Sequence, residues 1–439
     1  MDRFVSLCQD KILYAIAQSL LMIQVISPIA SLLLGVAILL TGQGLQGVLL
    51  PVRANLEGFS TLGVAFVGAA YFLGFTLGCW KGTVLIRNVG HVRVFAAMTA
   101  VASASPLLLG MWVDLWAWGV LRVLTGYCFA ILYVVIESWL NERSTDENRG
   151  AIFSVYILIN MTVLAVGQQM LLLSDPMQLQ LFAVTSVLVS LAAVPVALST
   201  SQSPRLIEEA RLDFGYCIRT SRGGMLGSLT CGLTAGAFWA LAPVFVADFS
   251  DTVSLTASFM TSVVLGGAAG QFPLGRLSDR VDRRFVMLSI SVVSALVSAL
   301  LWMSAGGLPV VGILTFGFLW GASSFPLYSI SVAHANDRAD PVKYVVISSG
   351  MLLMYGLGAV TGPLIASGLM SLMGASGLFM FAAIIFSFYA AYVALGSLRR
   401  KPVAPGDSGE FDDALAAVVT ASVVYEHEQQ TSDDSSALI

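Results

Sequence analysis

Twelve apolar stretches, each close to the length of a bilayer crossing and parted by short gaps, leave this chain few folds to choose from. A spanning helix needs about 20 mostly apolar residues, and structureless connectors beyond about 15 are uncommon in compact domains. The stretches fall at about 28–51, 60–80, 94–112, 115–138, 151–173, 179–198, 224–247, 255–275, 285–305, 308–331, 344–370 and 375–397. Charged residues make up 11% of the chain, against about 25% in soluble domains. So few charges cannot cover a soluble surface, and an all-α polytopic membrane protein with 12 transmembrane helices is expected. No nucleophile–base pair and no metal-ligand spacing is visible among Cys8, Cys79, Cys128, Cys217, Cys231, His91, His334 and His427. An enzyme, a metal and a cofactor are therefore not expected.

The basic residues orient the chain. Of the 22 Lys and Arg residues, all but Arg53 and Arg122 fall in the even-numbered gaps or the termini. Basic loops stay cytoplasmic, so both termini are expected inside, across a bacterial inner membrane. This distribution also removes nucleic acid as a partner; the partners expected are the bilayer and a small molecule, with the protein a monomer. Residues 1–27 read as an N-terminal segment forming an interfacial amphipathic helix, and 398–439 as an acidic, disordered cytoplasmic tail.

An internal repeat divides the rest. Gly44-x4-Leu49-x-Pro51 recurs as Gly236-x4-Leu241-x-Pro243, 192 residues later. Gly126-x5-Leu132-Tyr133-x7-Asn141-Glu142-Arg143 recurs as Gly321-x5-Leu327-Tyr328-x7-Asn336-Asp337-Arg338, offset by 195. Gly82 and Arg87 match Gly275 and Arg280 at an offset of 193. Three ordered matches at a near-constant offset indicate duplication. The expected halves are six-helix bundles at 28–198 and 224–397, joined by a cytoplasmic linker at 199–223.

Residues Gly275-Arg276-Leu277-Ser278-Asp279-Arg280-Val281-Asp282-Arg283-Arg284 lie in the eighth gap, where so many charges mark a tight hairpin. A G-x-x-x-D-R-x-[GD]-R-R run between two spans resembles the signature loop of the major facilitator superfamily. Together with the six-plus-six repeat, the resemblance covers about 28–397. Gly42-Gln43-Gly44-Leu45-Gln46-Gly47 with Leu50-Pro51, Glu137-Ser138-Trp139-Leu140-Asn141, and Gly167-Gln168 look most like its YcaD-like branch. The resemblance implies a secondary transporter with its substrate site between the halves near the midplane.

Arg122 is the one charge well inside a span, about 10 Å deep at 1.5 Å per residue. A guanidinium there faces a wet cavity or a partner, or snorkels to the interface. The motif Arg122-x3-Gly126 resembles the family's fourth-helix motif, which implies a part in proton coupling. Arg122, Gly126, Phe129, Tyr133 and Glu137 share one helical face, matched on the tenth span by Gly317, Gly321, Ser324 and Tyr328. Tyr133 and Tyr328 either face a central path from opposite halves or pack at the interface. Thr41, Gln43 and Gln46, with Asn160, Gln168, Trp239, Trp320 and Tyr355, complete the expected lining, although in a bilayer such amides also lock helices together.

For the gate, the candidates are Arg122, Glu137, Arg149, Gly275, Asp279, Arg280, Arg283 and Arg284. Glu137 is expected to be hydrated or paired with Arg149 or Arg87. The resemblance implies that Asp279 docks on the start of the fifth helix near Arg149 and Gly150, whose dipole end is positive. Its first-half equivalent is Ile86, so docking of a first-half acid near Lys343 is in doubt. Amides and rings with few charges suit a small, largely neutral aromatic solute. Uptake of a riboflavin-type metabolite leads; efflux of amphipathic drugs and a non-transporting membrane sensor are the other readings. The exporter pattern G-x-x-x-G-P is absent from the fifth span, which has Gly167-Gln168, and appears as Gly358-x3-Gly362-Pro363 in the eleventh.

Overall fold

The computed structural model describes residues 29–144, 148–198, 213–249, 252–303, 307–340 and 343–397. The expectations for 1–27, for most of the 199–223 linker and for the acidic tail fall outside the described residues. Twelve helices are long and apolar enough to cross a membrane. They are α1 (Ala30–Leu56), α2 (Thr61–Val89), α3 (His91–Met111), α4 (Leu115–Glu142) and α5 (Arg149–Gln169, carried on by a tight turn Met170–Leu173). Next come α6 (Gln180–Leu191, continued by Ala193–Ala197), α7 (Arg222–Ala247), α8 (Val253–Arg280) and α9 (Arg283–Met303). The last are α10 (Val310–Ser324, continued by Pro326–Asn336), α11 (Tyr344–Met373) and α12 (Gly377–Ser397). A short connecting helix, Phe214–Thr220, precedes α7. No strand occurs among the described residues.

Local chemistry sets the helix ends. Ser60, Asp114 and Ser221 each accept a hydrogen bond from a backbone N–H in the first turn of α2, α4 and α7, satisfying a donor the helix leaves open. Gly90, at φ +94°, makes the reversal between α2 and α3, a conformation that side chains resist. One sequence expectation changes here. The charged run 275–284 is mostly helix: α8 continues through Arg280, and only Val281 and Asp282 separate it from α9. Hydropathy marks where apolar side chains stop, whereas the backbone stays helical until a residue ends it. α2 likewise runs on through Ile86 and Arg87 to Val89.

Duplication is visible in the packing as well as in the letters. Inside the first half, α2 crosses α4 so closely that a Cβ on Gly74 would meet the Val123 carbonyl, and one on Gly126 the Tyr71 carbonyl. Inside the second, α8 crosses α10 with Gly266 against the Phe318 carbonyl and Gly321 against that of Val263. The pair α1–α5 has Gly44 on Leu164 and Gly167 on Thr41; the pair α7–α11 has Gly236 on Ala359 and Gly362 on Leu233. Bare backbone lets helices approach where a side chain would hold them apart, a device suited to lipid, where no hydrophobic effect drives association. The two six-helix repeats then meet through α2 on α7 and α11, α5 on α8, and α1 on α7.

Candidate functional site

The loops after odd-numbered helices lie at one end of the bundle, and those after even-numbered helices at the other. Between the halves lies a cavity of about 380 Å³, within the usual range of small-molecule sites, about 300–1,000 Å³. Gln43, Gln46, Arg122, Tyr133, Asn160, Trp239, Trp320, Ser324, Tyr328 and Tyr355 all line it. These come from six helices and are brought to one space. Phe129 is not among them. It is wholly buried.

Gln168 lines it as expected, Thr41 instead donates to the Ala37 carbonyl of its own helix at 2.7 Å, and Tyr71, Phe75, Gln271 and Phe325 join the lining. Of these, Tyr71 matters most and had no signal in the sequence: its counterpart at the repeat offset is Val263, and a lone tyrosine in an apolar helix reads as packing. Gln43 donates from Nε2 to Tyr71 Oη at 3.0 Å and accepts from Tyr133 Oη at 2.8 Å. Three helices, α1, α2 and α4, are thereby tied through one amide.

Among the described lining residues, Arg122 alone carries a formal charge. Its guanidinium sits 4.3 Å from the centre of the Tyr71 ring, and its Nε is buried without a hydrogen-bond partner. A charged residue at a helix centre costs about 2.5–3.5 kcal/mol on insertion scales. A desolvated cation over a ring recovers about 2 kcal/mol. The stack therefore offsets part of the cost. The other wall is aromatic: Trp239 lies 6.2 Å from Phe325, and Tyr328 meets Tyr355 edge-on at 5.3 Å.

At the even-loop end the charged run forms a network within the second half. Arg283 is buried; its Nε donates to Asp337 Oδ2 at 2.8 Å, its Nη2 lies 3.1 Å from Asp279 Oδ1, and its Nη1 donates to Ser278 Oγ at 3.1 Å. Gly275 is buried and its carbonyl accepts from Ser278. Arg280 is exposed, and Arg284 is half-buried, with its backbone N–H on Asp282 Oδ1 at 2.9 Å. Arg149 and Gly150 open α5, but their side-chain surroundings, and so the expected docking of Asp279 on them, lie outside the described residues. Glu137 is wholly buried, which removes hydration and leaves pairing as the expected alternative; α4 continues past it to Glu142. In the first half Ile86 is buried, and Lys343 lies over the Tyr216 ring of the connecting helix at 4.6 Å.

At the odd-loop end the halves touch directly. Gly68 of α2 abuts Ala240 of α7, and Gln169 Nε2 of α5 donates to Thr261 Oγ1 of α8 at 2.8 Å.

The family model described as the Major Facilitator Superfamily matches residues 224–428. An MFS-type transporter of Enterobacter sp. (strain 638) is 26% identical over 377 residues, 85% of this chain and 96% of that protein. The MFS-type transporter YcaD of Escherichia coli strain UMN026 is 26% identical over 383 residues, 86% and 98% of the two chains. Among solved structures, the nucleoside transporter NupG superposes with a TM-score of 0.73 at 11% identity, covering 85% of this chain and 100% of that one. A bacterial homolog of the human lysosomal transporter Spinster, inward-facing and occupied, gives 0.68 at 14% identity over 86% and 98%. Twelve helices in two packed repeats, a cavity between them and relatives of this kind point one way: the second half matches the Major Facilitator Superfamily model, and over most of its length the chain is similar to YcaD-like MFS-type transporters.

Proposed function

We propose that the protein lies in a bacterial inner membrane, with its even-numbered loops and both termini in the cytoplasm, and moves a small planar aromatic solute by alternating access. The observation that carries this reading is the composition of the cavity: amides, tyrosines and tryptophans around a single cation. A sugar phosphate or dicarboxylate would call for several cations. Rings that stack and amides that read an edge suit a flat heteroaromatic molecule. Drug export fits less well, since Gln168 stands where the exporter pattern has proline and its side chain lines the cavity. Proton coupling belongs to the same proposal, with Arg122 and the buried Glu137 as the groups involved.

The test is counterflow in proteoliposomes, with labelled riboflavin as lead probe and a nucleoside as second, chosen because a solved nucleoside transporter shares the fold. Flux of either above empty liposomes, abolished by Arg122→Ala, is the expected result. An imposed pH gradient that changes the rate would support proton coupling. Flux of neither, from folded protein, would remove both probes as cargo.

A further inference from the structure

The first-half wall of the cavity is one-sided in its hydrogen-bonding chemistry. Both ends of the Gln43 amide are taken, one by Tyr71 and one by Tyr133. Because Tyr71 Oη accepts the bond from Gln43, its own proton is left to donate, and no described acceptor takes it. Beside it stands the Arg122 guanidinium, its Nε buried and without a partner. One helical turn beyond Gln43, Gln46 is 2% exposed, lines the cavity, and has an Nε2 that is also buried without a partner. Three polar side chains, one of them fully charged, thus line one space whose described lining contains no carboxylate.

A neutral solute could occupy the hydrogen bonds and would leave the charge uncompensated. A dianion would bring a second charge that nothing in the lining answers. One negative charge balances the site, and a carboxylate matches the planar fork of a guanidinium better than any spherical anion. The ring partner lies at the same depth: Trp239 is eight residues from the odd-loop end of α7 and Arg122 seven from that end of α4, about 12 and 10 Å. Resting on the reading of this cavity as the substrate site, we propose that the cargo is an aromatic monocarboxylate. Its carboxylate meets Arg122, Tyr71 and Gln46, and its ring lies against Trp239 and Phe325.

Isothermal titration of the full-length protein in detergent, in chloride-free buffer, tests this with 4-hydroxybenzoate and its neutral isostere 4-hydroxybenzamide. The acid is expected to bind tighter by about tenfold or more, the scale of a charge-assisted over a neutral hydrogen bond. Arg122→Gln should erase the difference between the pair, and Arg122→Lys should keep part of it. Equal binding of the two, or tighter binding of the amide, overturns the monocarboxylate while leaving the aromatic-solute reading intact. Binding of neither overturns both. Chloride binding without acid binding means a small-anion site only, and also overturns the proposal. If Arg122→Gln does not fold, the acid-to-amide ratio of the native protein decides alone.

Discussion

Gln43 is the residue on which the polar wall turns. Replacing it with leucine removes a hydrogen bond from each of two part-buried hydroxyls, those of Tyr71 and Tyr133, at about 1 kcal/mol apiece. Tyr133→Phe removes one bond and leaves Gln43 its other, for about 1 kcal/mol. The melting temperature in detergent should therefore fall further for Gln43→Leu than for Tyr133→Phe; the opposite order would show that the network carries no weight. The two glutamines were legible in the sequence because an amide in an apolar span has few places to go. Phe129 misled because spacing gives a shared helical face with Arg122 and Tyr133 but not the depth of burial: Phe129 is wholly buried while those two reach the cavity. Tyr71 was hidden because its worth comes from Gln43 and Arg122, which approach it only in three dimensions.

Between elements, the close crossings of bare backbone set the geometry. Gly126→Leu and Gly321→Leu each force a side chain into a carbonyl of the neighbouring helix, and both should lower the yield of monodisperse protein in size-exclusion chromatography. Gly47→Ala, where an added Cβ meets nothing within 4 Å, should leave the elution profile unchanged. Gly126 and Gly321 could be paired from the sequence by the repeat; which helix each one touches could not. The charged end of α8 behaves differently. Arg283 is buried with Asp337, and losing one partner of a buried pair costs about 3–5 kcal/mol, discounted here because Asp279 is partly exposed. Arg283→Gln should thus destabilise more than the double change Arg283→Gln with Asp337→Asn, which also removes the carboxylate that Arg283 neutralises. A double variant less stable than the single one by thermal melt would contradict the pairing. The sequence marked this stretch as a loop because charge and apolarity measure exposure to lipid, and neither measures where a helix stops.

Across the whole molecule, transport by alternating access requires the halves to part at one end while they meet at the other. In this conformation they meet at the odd-loop end, where Gln169 bonds Thr261 and Gly68 abuts Ala240, and at mid-depth, where Gly356 of α11 abuts Thr76 of α2. The duplication made two halves legible in advance, yet it could not say which end is closed, because contacts between copies are not symmetric within one state. If that closure opens during the cycle, tethering it must stop flux. Gln169→Cys with Thr261→Cys, joined by a short cleavable bis-thiosulfonate, should reduce counterflow to the level of empty liposomes and recover on adding reductant. Among the described native thiols, Cys79 is half-buried while Cys128, Cys217 and Cys231 are buried, and burial pushes the Cys217 thiol of the connecting helix up to about 11, so it remains protonated near neutral pH. The reagent on the native protein, and on each single cysteine variant, supplies the control. Full flux in the cross-linked double variant would mean that α5 and α8 stay together throughout the cycle, and that the moving contact is the one between α2 and α7.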